Sequence, residues 1–600
     1  MESTGVRRGA WFWKVSVVGV LALGGCIDAH AEPPSRSGGA RAPVAVGTGV
    51  SNKPVTISVV ATNDVHGRLS QLPLFGGYVR NVRAARAADG GGVLLLDAGD
   101  IFQGTLASCL SEGASMIRGY RALGYTAAAV GNHEFDFGPI GPAPIPRAAA
   151  DDPFGALRAR VADAGFPFLC SNLRARDGSV SPLTEVQPSL LTEVAGVKVG
   201  LVGGLTEHAL TATHGANVSG LAMLPLVTSV ATEARALRAQ GAQLVIALIH
   251  AGGDCTRVDD PDDLSSCDEG EAFEFARGLA ALASPATDGK VSPPPVDLIL
   301  GGHTHAFVAH RVAGIPIIES GANGHAFGRV DFTFQPGASP TWSYKIFPPH
   351  ELCEDRLDKP VCATERYEGR TVERDPRVLD AIRADLDHAN LAANEPIGVE
   401  VTSLIKRSSE VESPLTNLVV DLMLRAVPGA QAAFNNPGSV RIALPTGPLT
   451  YGRMFEMFPF ENRFAKLRMK ASDLAKVIQN SLESTRGLVT LAGVRAAAIC
   501  KAGKLTVSLT TPDGKPMPAG RKLTVVTSDY VAETGDGLMR GIKLPKNAVT
   551  IAEEPFIRDA LITGLRKGGG TLDGNDPALY DAANPRLRYV GPRPISCSVN

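Results

Sequence analysis

The sequence predicts a protein of the α/β class with more than one domain. Its 600 residues exceed what one hydrophobic core usually holds, so about two to four domains are expected. In the first half, short apolar runs end abruptly in Gly, Asp, Asn or His, which is typical of strands buried on both faces. Helix-like segments such as 115–123 lie between these runs, and this alternation predicts a layered α/β domain.

The composition indicates an ordinary globular chain. Hydrophobic residues make up 44% of the sequence, charged residues make up 20%, and the net charge is −2. No dense block of Lys and Arg occurs in the sequence. A nucleic-acid polymer is therefore not expected as a partner.

Residues 1–31 are predicted to be an export signal. Positive charge at Arg7 and Arg8 precedes an apolar run that is too short to cross a membrane. Two processing sites fit this segment. A sequence similar to a bacterial lipobox ends at Cys26, which would carry a lipid, whereas the small residues at 29–31 suit an ordinary cleavage site.

The segment that follows the signal favours the lipid. Residues 32–53 are rich in Pro, Gly, Ser and Ala, a composition that suits a flexible tether. The protein is therefore expected to be exported, as a periplasmic protein or as a lipoprotein of the outer membrane or cell surface. Contact with a membrane is expected only through the lipid on Cys26.

The cysteines predict disulfide bonds. Nine are present, and eight remain when Cys26 is set aside. An even number in an oxidising compartment favours pairing. Two pairs would close short polar loops and two follow by elimination: Cys255–Cys267, Cys353–Cys362, Cys109–Cys170 and Cys500–Cys597. A buried free thiol is the alternative at each position.

Seven side chains that bind divalent metals follow the apolar runs: Asp64, His66, Asp100, Asn132, His250, His303 and His305. Ligands at the carboxyl ends of neighbouring strands converge on one edge of a sheet. Seven ligands are too many for one tetrahedral ion, but they suit two ions if one carboxylate bridges them.

These residues stand in recognisable motifs. Five blocks resemble those of the calcineurin-like metallophosphoesterases: Asp64-x-His66, Gly99-Asp100-x-x-x-Gly104, Gly131-Asn132-His133-Glu134, His250 and Gly302-His303-x-His305. The continuation Phe135-Asp136-Phe137-Gly138 resembles the 5'-nucleotidase branch, which also contains UDP-sugar hydrolases and 2',3'-cyclic nucleotide phosphodiesterases. The resemblance implies a β-sandwich flanked by helices.

The resemblance also implies a role for each residue. One metal would be held by Asp64, His66, Asp100 and His305, and the other by Asp100, Asn132, His250 and His303. Zinc or manganese is expected, with magnesium, iron and calcium as alternatives. His133 would contact the transferring phosphoryl group or the leaving oxygen, and Asp136 would orient it. By contrast, His208, His214 and His310 match no block and are expected to be structural.

The domain organisation is predicted from breaks in these patterns. A catalytic domain is expected over 54–350, a linker with an inter-domain helix over 351–395, and an α+β substrate-binding domain over 396–592. The inter-domain helix begins at Asp375-Pro376, where Asp suits the N-cap and Pro suits the first turn. In relatives, rotation about such a hinge carries the substrate to the metals.

The second half contains weaker matches. Residues 436–441 resemble the family's Asn-Gly-Gly-Gly-x-Arg block, with Pro437 and Ser439 in place of glycines, which stiffens the loop. Residues 458–462 and 528–537 resemble the blocks that supply two base-stacking rings and an acid. The implied substrate-binding residues are Arg407, Asn436, Arg441, Phe460, Tyr530 and Asp536.

The resemblance implies a metal-dependent hydrolase of a small nucleotide. The expected reaction is hydrolysis of nucleoside 5'-monophosphates, with UDP-sugars and nucleoside polyphosphates as further substrates. One alternative is a 2',3'-cyclic nucleotide 2'-phosphodiesterase/3'-nucleotidase. An alternative of another class is an inactive nucleotide-binding lipoprotein, and the intact ligand set argues against it.

Overall fold

A computed structural model describes most of the chain. The described residues are 54–141, 143–282, 293–335, 341–353, 364–533, 537–545 and 547–597. The predicted signal over 1–31, the tether over 32–53, Cys26, Cys362 and Asp536 lie outside these ranges.

Two six-stranded sheets form the N-terminal half. The first has the strand order Thr341–Glu351, Ala326–Gln335, Val55–Thr62, Gly92–Asp97, Ala127–Ala129, Phe168–Leu169. The second has the order Phe307–Val312, Ile315–Ser320, Leu298–Leu300, Leu244–His250, Val197–Leu205, Ser189–Val194. In each sheet four adjacent strands are parallel.

The two sheets pack face to face, and helices cover their outer faces. Successive side chains of a strand point to opposite faces of the sheet. The residues of one strand therefore alternate between the core that lies between the sheets and the core that lies under the helices. Ile57 and Val59 lie in the core between the sheets, whereas Val60 lies under the helices. This double burial explains the continuous apolar runs in the sequence. The covering helices are Leu72–Asp89, Ala114–Leu123 and Gly155–Ala164 on the first sheet, and Leu226–Ala239 and Glu271–Ala281 on the second.

A helix over Pro376–Ala393 follows the sandwich. It begins as predicted, because the Asp375 side chain accepts a hydrogen bond from the Arg377 backbone N–H at 3.0 Å. The helix contacts Ala114–Leu123 of the first half and Tyr451–Met457 of the second half. It therefore joins the two halves through packing as well as through the chain.

The C-terminal half is built on a mixed five-stranded sheet. Its strand order is Thr490–Ala492, Ala432–Asn435, Lys522–Ser528, Arg463–Lys470, Val549–Phe556. Its longer helices are Pro414–Ala426, Ala471–Leu482 and Ile557–Gly568. Two three-stranded sheets complete it: Gly447–Thr450, Pro396–Ser403, Thr571–Asp573 and Lys504–Thr510, Arg495–Lys501, Leu587–Arg588.

Short elements fill the connections. They are the helices Leu106–Cys109, Gly215–Val218 and Asp529–Glu533 and the strand pairs Leu173–Ala175 with Leu221–Met223, Asp254–Cys255 with Cys267–Asp268, and Arg366–Tyr367 with Arg370–Thr371. Within the described ranges, every helix is too short or too polar to span a bilayer. The predicted α/β class is confirmed, with a helix-flanked sandwich joined by a helix to an α+β half. The predicted domain boundaries stay predictions.

Two of the predicted disulfides are confirmed, Cys255–Cys267 and Cys500–Cys597. Cys353 is also disulfide-bonded, and its predicted partner lies outside the described residues.

The predicted pair Cys109–Cys170 is wrong, because both residues are free thiols. The Cys170 thiol donates to Asn172 Oδ1 at 3.5 Å, and burial raises its pKa to about 11. Burial likewise raises the pKa of Cys109 to about 12. The two thiols pack against the same apolar core as small hydrophobic groups, so an even cysteine count did not require pairing.

Candidate active site

The fold brings the seven predicted metal ligands to one end of the sandwich. Each lies at or just after the carboxyl end of a parallel strand, and both sheets contribute. The first sheet supplies Asp64, His66, Asp100 and Asn132, and the second supplies His250, His303 and His305.

The backbone at these strand ends is unusual. Five of the seven residues have positive φ angles, which side chains with a Cβ rarely adopt: Asp64 (49°), His66 (48°), Asp100 (61°), His303 (83°) and His305 (61°). Such conformations cost about 1–3 kcal/mol each and cluster at functional sites. The turns that follow the strands therefore hold these side chains in place by means of strained backbone conformations.

One group of ligand atoms comes from Asp64, His66 and His305, and its atoms all lie within 4.8 Å of one another. The Nε2 atoms of the two histidines are 2.9 Å apart, and His305 Nε2 is 3.4 Å from Asp64 Oδ1. Asp64 Oδ2 accepts hydrogen bonds from Asn63 Nδ2 and the His303 backbone N–H. Asp64 Oδ1 is buried and accepts none from any described residue. This oxygen is free to bind a cation.

A second group comes from Asp100, His250 and His303, again with all ligand atoms within 4.8 Å. His250 Nε2 lies 3.2 Å from Asp100 Oδ2 and 3.1 Å from Asn132 Oδ1. Asp100 Oδ2 is also 3.9 Å from His66 Nε2 in the first group. One carboxylate oxygen therefore lies between the two groups, as a bridging ligand requires.

Hydrogen bonds to the backbone set the histidine tautomers. His66 Nδ1 lies 2.9 Å from the Gln103 carbonyl oxygen, and His250 Nδ1 lies 2.9 Å from that of Ala98. Because a carbonyl only accepts, Nδ1 carries the hydrogen and Nε2 faces the site in both rings. Burial lowers the pKa of His66 to about 4, so its imidazole is neutral. Imidazole nitrogens, carboxylates and an amide oxygen are ligand types that fit divalent metal ions.

A buried carboxylate that the sequence analysis gave no role holds two of these loops together. Glu134 accepts hydrogen bonds from the backbone N–H groups of Asp100 (2.8 Å), Ile101 (2.7 Å) and Gly131 (2.7 Å). The glycine is required, because a Cβ at position 131 would lie 2.2 Å from Asp100 Oδ1. A Glu two positions after Asn132 was the only local signal for this role.

His133 and Asp136 form a hydrogen-bonded pair beside the ligand groups. His133 Nδ1 lies 2.5 Å from Asp136 Oδ2. The other oxygen, Asp136 Oδ1, accepts a hydrogen bond from the Thr213 hydroxyl at 2.8 Å, a contact between residues far apart in the sequence. Burial opposes a charge on His133, but Asp136 and Asp100 outweigh it and raise the pKa of His133 to about 9. Its ring is therefore an imidazolium near neutral pH.

A cleft of about 290 Å³ lies between the two halves. This volume is at the lower end of that of small-molecule sites. Among the predicted residues, those that line it are Asp100, Asn132, His133, Asp136, His303, His305, Asn436, Arg441, Phe460 and Tyr530. The structure thus brings the ligand groups and most of the predicted substrate-binding residues to one space.

The aromatic side of the cleft is held by a buried ion pair that the sequence analysis missed. Asp529 accepts hydrogen bonds from the backbone N–H groups of Arg463 (3.1 Å) and Tyr530 (2.9 Å) and from Arg463 Nε (3.1 Å). It therefore ties the segment after Phe460 to the segment that carries Tyr530. The Arg441 guanidinium lies 5.0 Å from the centre of the Phe460 ring, within cation–π range.

The two replaced glycines fit the loop at 436–441. Pro437–Ser439 forms a 3₁₀ turn. The Ser439 hydroxyl donates to the Asn436 carbonyl oxygen at 2.9 Å and accepts from Asn435 Nδ2 at 2.6 Å. The serine hydroxyl thus braces this turn with two hydrogen bonds that a glycine cannot make.

Two residues differ from their predicted placement, and a third lies outside the described residues. The Arg407 side chain donates to the Val440 carbonyl oxygen at 2.8 Å and is not among the residues that line the cleft. The predicted acid Asp536 lies outside the described residues. His214, for which only a structural role was expected, lines the cleft.

Comparisons with known proteins match both halves. Residues 57–307 match the family model described as calcineurin-like phosphoesterase, and residues 393–542 match the model of the 5'-nucleotidase C-terminal domain. The protein UshA of Yersinia enterocolitica is 26% identical over 515 residues, which cover 82% of this chain and 88% of that protein. A 5'-nucleotidase of Diplobatis ommata is 24% identical over 530 residues, covering 81% and 83%.

Solved structures share the fold. The crystal structure of a 5'-nucleotidase precursor from Thermus thermophilus superposes with a TM-score of 0.60 at 20% identity. The match covers 89% of this chain and 99% of that one.

Proposed function

We propose a nucleotide-hydrolysing function for this chain, which belongs to the calcineurin-like phosphoesterases that carry a 5'-nucleotidase C-terminal domain. The reaction is hydrolysis of nucleoside 5'-monophosphates to nucleoside and phosphate, with UDP-sugars and nucleoside polyphosphates as further substrates. The observation that carries the proposal is one cleft that is lined by metal-ligand side chains of one half and by aromatic and cationic side chains of the other.

Calcineurin-like phosphoesterases act with two divalent metal ions. When bound, the ions supply an activated water at neutral pH and neutralise charge on the phosphate. We assign zinc or manganese as the native metals, because the donor set mixes imidazole with carboxylate and amide oxygens. The first ion would be held by Asp64, His66 and His305, the second by Asn132, His250 and His303, and Asp100 would be a ligand of both.

The protein's own groups complete the reaction. The His133 imidazolium lines the cleft and keeps its Nδ1–H on Asp136, so its Nε2–H is available to protonate the leaving oxygen. Phe460 and Tyr530 stack on the base, and Arg441 supplies positive charge beside one of these rings. The helix Pro376–Ala393, which contacts both halves, is the hinge for movement between them.

Export of the chain is part of the proposal. The disulfides Cys255–Cys267 and Cys500–Cys597 support an oxidising compartment. We assign a lipid to Cys26, so that the enzyme acts on nucleotides outside the cytoplasm while tethered to a membrane.

A substrate panel tests the function. Purified mature protein is given AMP, UMP, ATP, UDP-glucose and 2',3'-cyclic AMP, with and without a chelator. AMP and UMP should release phosphate fastest, and chelation should abolish the release until a divalent metal is added back. Faster turnover of the cyclic nucleotide would favour the phosphodiesterase alternative. Nucleotide binding without turnover of any substrate would favour the inactive binding protein.

A further inference from the structure

The tripeptide 212–214 has contacts to the site that none of the assigned roles include. It connects the 3₁₀ turn Ala209–Thr211 to the short helix Gly215–Val218, and all three of its residues line the cleft. It lies far along the chain from the motifs that carry the metal ligands. The tripeptide makes two hydrogen bonds to residues of those motifs.

The first hydrogen bond sets the orientation of an amide. Asn132 Nδ2 donates to the Ala212 carbonyl oxygen at 3.0 Å. Because that partner only accepts, the amide nitrogen must face it and Oδ1 must face His250 Nε2, 3.1 Å away. The tripeptide thereby turns the oxygen, and not the nitrogen, of Asn132 toward the ligand group.

The second hydrogen bond fixes a carboxylate. The Thr213 hydroxyl, in a side chain that is 2% exposed, donates to Asp136 Oδ1 at 2.8 Å, while Asp136 Oδ2 receives His133 Nδ1–H at 2.5 Å. With a donor on each oxygen, the carboxylate has one orientation. Removal of the Thr213 hydroxyl leaves one carboxylate oxygen without that donor.

We propose that Thr213 is a positioning residue for the hydrolysis reaction, because its hydrogen bond to Asp136 fixes the orientation of the His133 ring. This inference rests on the proposed function. In the step concerned, water oxygen bonds to phosphorus and the bond from phosphorus to the leaving oxygen breaks with its electron pair on that oxygen. The His133 Nε2 proton moves to the leaving oxygen, and the neutral imidazole regains a proton from the attacking water. A misaligned ring slows only this protonation.

The test uses leaving groups that differ in basicity. The leaving group of AMP or of β-glycerophosphate is an alkoxide, which needs the proton. The leaving group of p-nitrophenyl phosphate is p-nitrophenolate, a much weaker base that leaves without it. Thr213→Val keeps the shape and removes the hydroxyl. It should lower kcat for both alkyl esters by about tenfold, a fraction of the roughly 10²–10⁴-fold that a general acid contributes, because the acid is misaligned and not removed. KM, bound metal and kcat for p-nitrophenyl phosphate should change little.

Two further variants isolate the hydroxyl. Thr213→Ser keeps the donor and should restore most of the lost kcat. Thr211→Val is the matched control, because the exposed Thr211 hydroxyl donates only to the His208 carbonyl oxygen, at 2.7 Å. It should behave as wild type on every substrate.

A double mutant tests whether the loss of kcat in Thr213→Val arises through His133. In a His133→Ala background, adding Thr213→Val should cause no further loss, because the two residues act through one path. A further tenfold loss there, an equal loss on alkyl and aryl esters, or no rescue by Thr213→Ser would each overturn the role of Thr213. Wild-type hydrolysis of β-glycerophosphate but of no nucleotide would instead refute the proposed function, and the alkyl-against-aryl comparison would still decide the role of Thr213.

Discussion

Removal of the cleft rings should separate nucleotide recognition from phosphate chemistry. Phe460 and Tyr530 lie in the C-terminal half, whereas the ligand groups lie in the N-terminal half, and both sets line one cleft. Each of the two residues is partly exposed, as a base-stacking residue must be. Since every substrate carries a phosphate, selection among phosphate esters must come from the C-terminal side.

The size of the effect follows from stacking energies. Stacking of a base on an aromatic side chain is worth about 1–3 kcal/mol. At about 1.4 kcal/mol for each tenfold change, Phe460→Ala or Tyr530→Ala should raise KM for AMP by about 5- to 140-fold. The larger effect is expected at Phe460, because its ring also supports the Arg441 guanidinium 5.0 Å away. Tyr530→Phe should be mild, because the ring face remains.

Steady-state kinetics on two substrates check this prediction. AMP should show the rise in KM, whereas p-nitrophenyl phosphate, whose small ring need not reach the C-terminal side, should change little. Phe458→Leu is the matched control, since Phe458 is fully buried two positions before Phe460 and can act only through packing. Thermal unfolding of each variant measures the loss of stability. Equal losses on the two substrates would mean that the rings support the fold and do not bind a base.

Further changes address the remaining roles. Asp100→Asn should remove most activity and lower bound metal, measured by elemental analysis; full metal content with full activity would contradict a bridging role. His133→Ala and Asp136→Asn should lower kcat for AMP by about 10²–10⁴-fold and leave metal content unchanged, and a parallel fall of both would refute the dyad. Asp536→Ala should raise KM for AMP alone if its carboxylate orients the nucleoside. Cys26→Ala should move the protein from the membrane fraction to the soluble fraction; a wild-type protein that is already soluble would favour plain cleavage after residue 31.

Features that depend on neighbouring residues could be predicted from the sequence. The short apolar runs that predicted strands include those before Asp64 and before His303, and the structure has the strands Val55–Thr62 and Leu298–Leu300 there. Burial on both faces imposes a continuous apolar run, and this run is visible without knowledge of the partner strands. The metal-binding residues directly after these runs could likewise be identified without knowledge of their partners in the fold.

Contacts between distant segments left no such signal. Thr213 and Asp136 are separated by 77 positions, and Asp529 and Arg463 by 66. A single Thr or an Asp-Tyr dipeptide shows no compositional bias or periodicity that would identify the distant residue that it contacts. The error at Cys109–Cys170 has the same origin, because parity counts cysteines and contains no information on which sulfur atoms the fold brings together.

The strand ends also show why this site and its metals depend on each other. Asp64 and Asp100 are buried carboxylates, and the neighbouring histidines outweigh burial and hold the pKa of both below the usual value. Burial, with Asp100 beside it, raises the pKa of Glu134 to about 7, so some repulsion between the acidic groups remains. The turns that present the ligands also carry strained backbone at five positions. Hydrogen bonds from Asn63, His133 and the backbone offset part of this repulsion but leave Asp64 Oδ1 without a donor. Cations that bind the folded site and not the unfolded chain stabilise the fold in proportion to the logarithm of their concentration over Kd. Metal binding would therefore offset part of the backbone strain, so the residues that would activate water would also stabilise this end of the sandwich when the metals are bound.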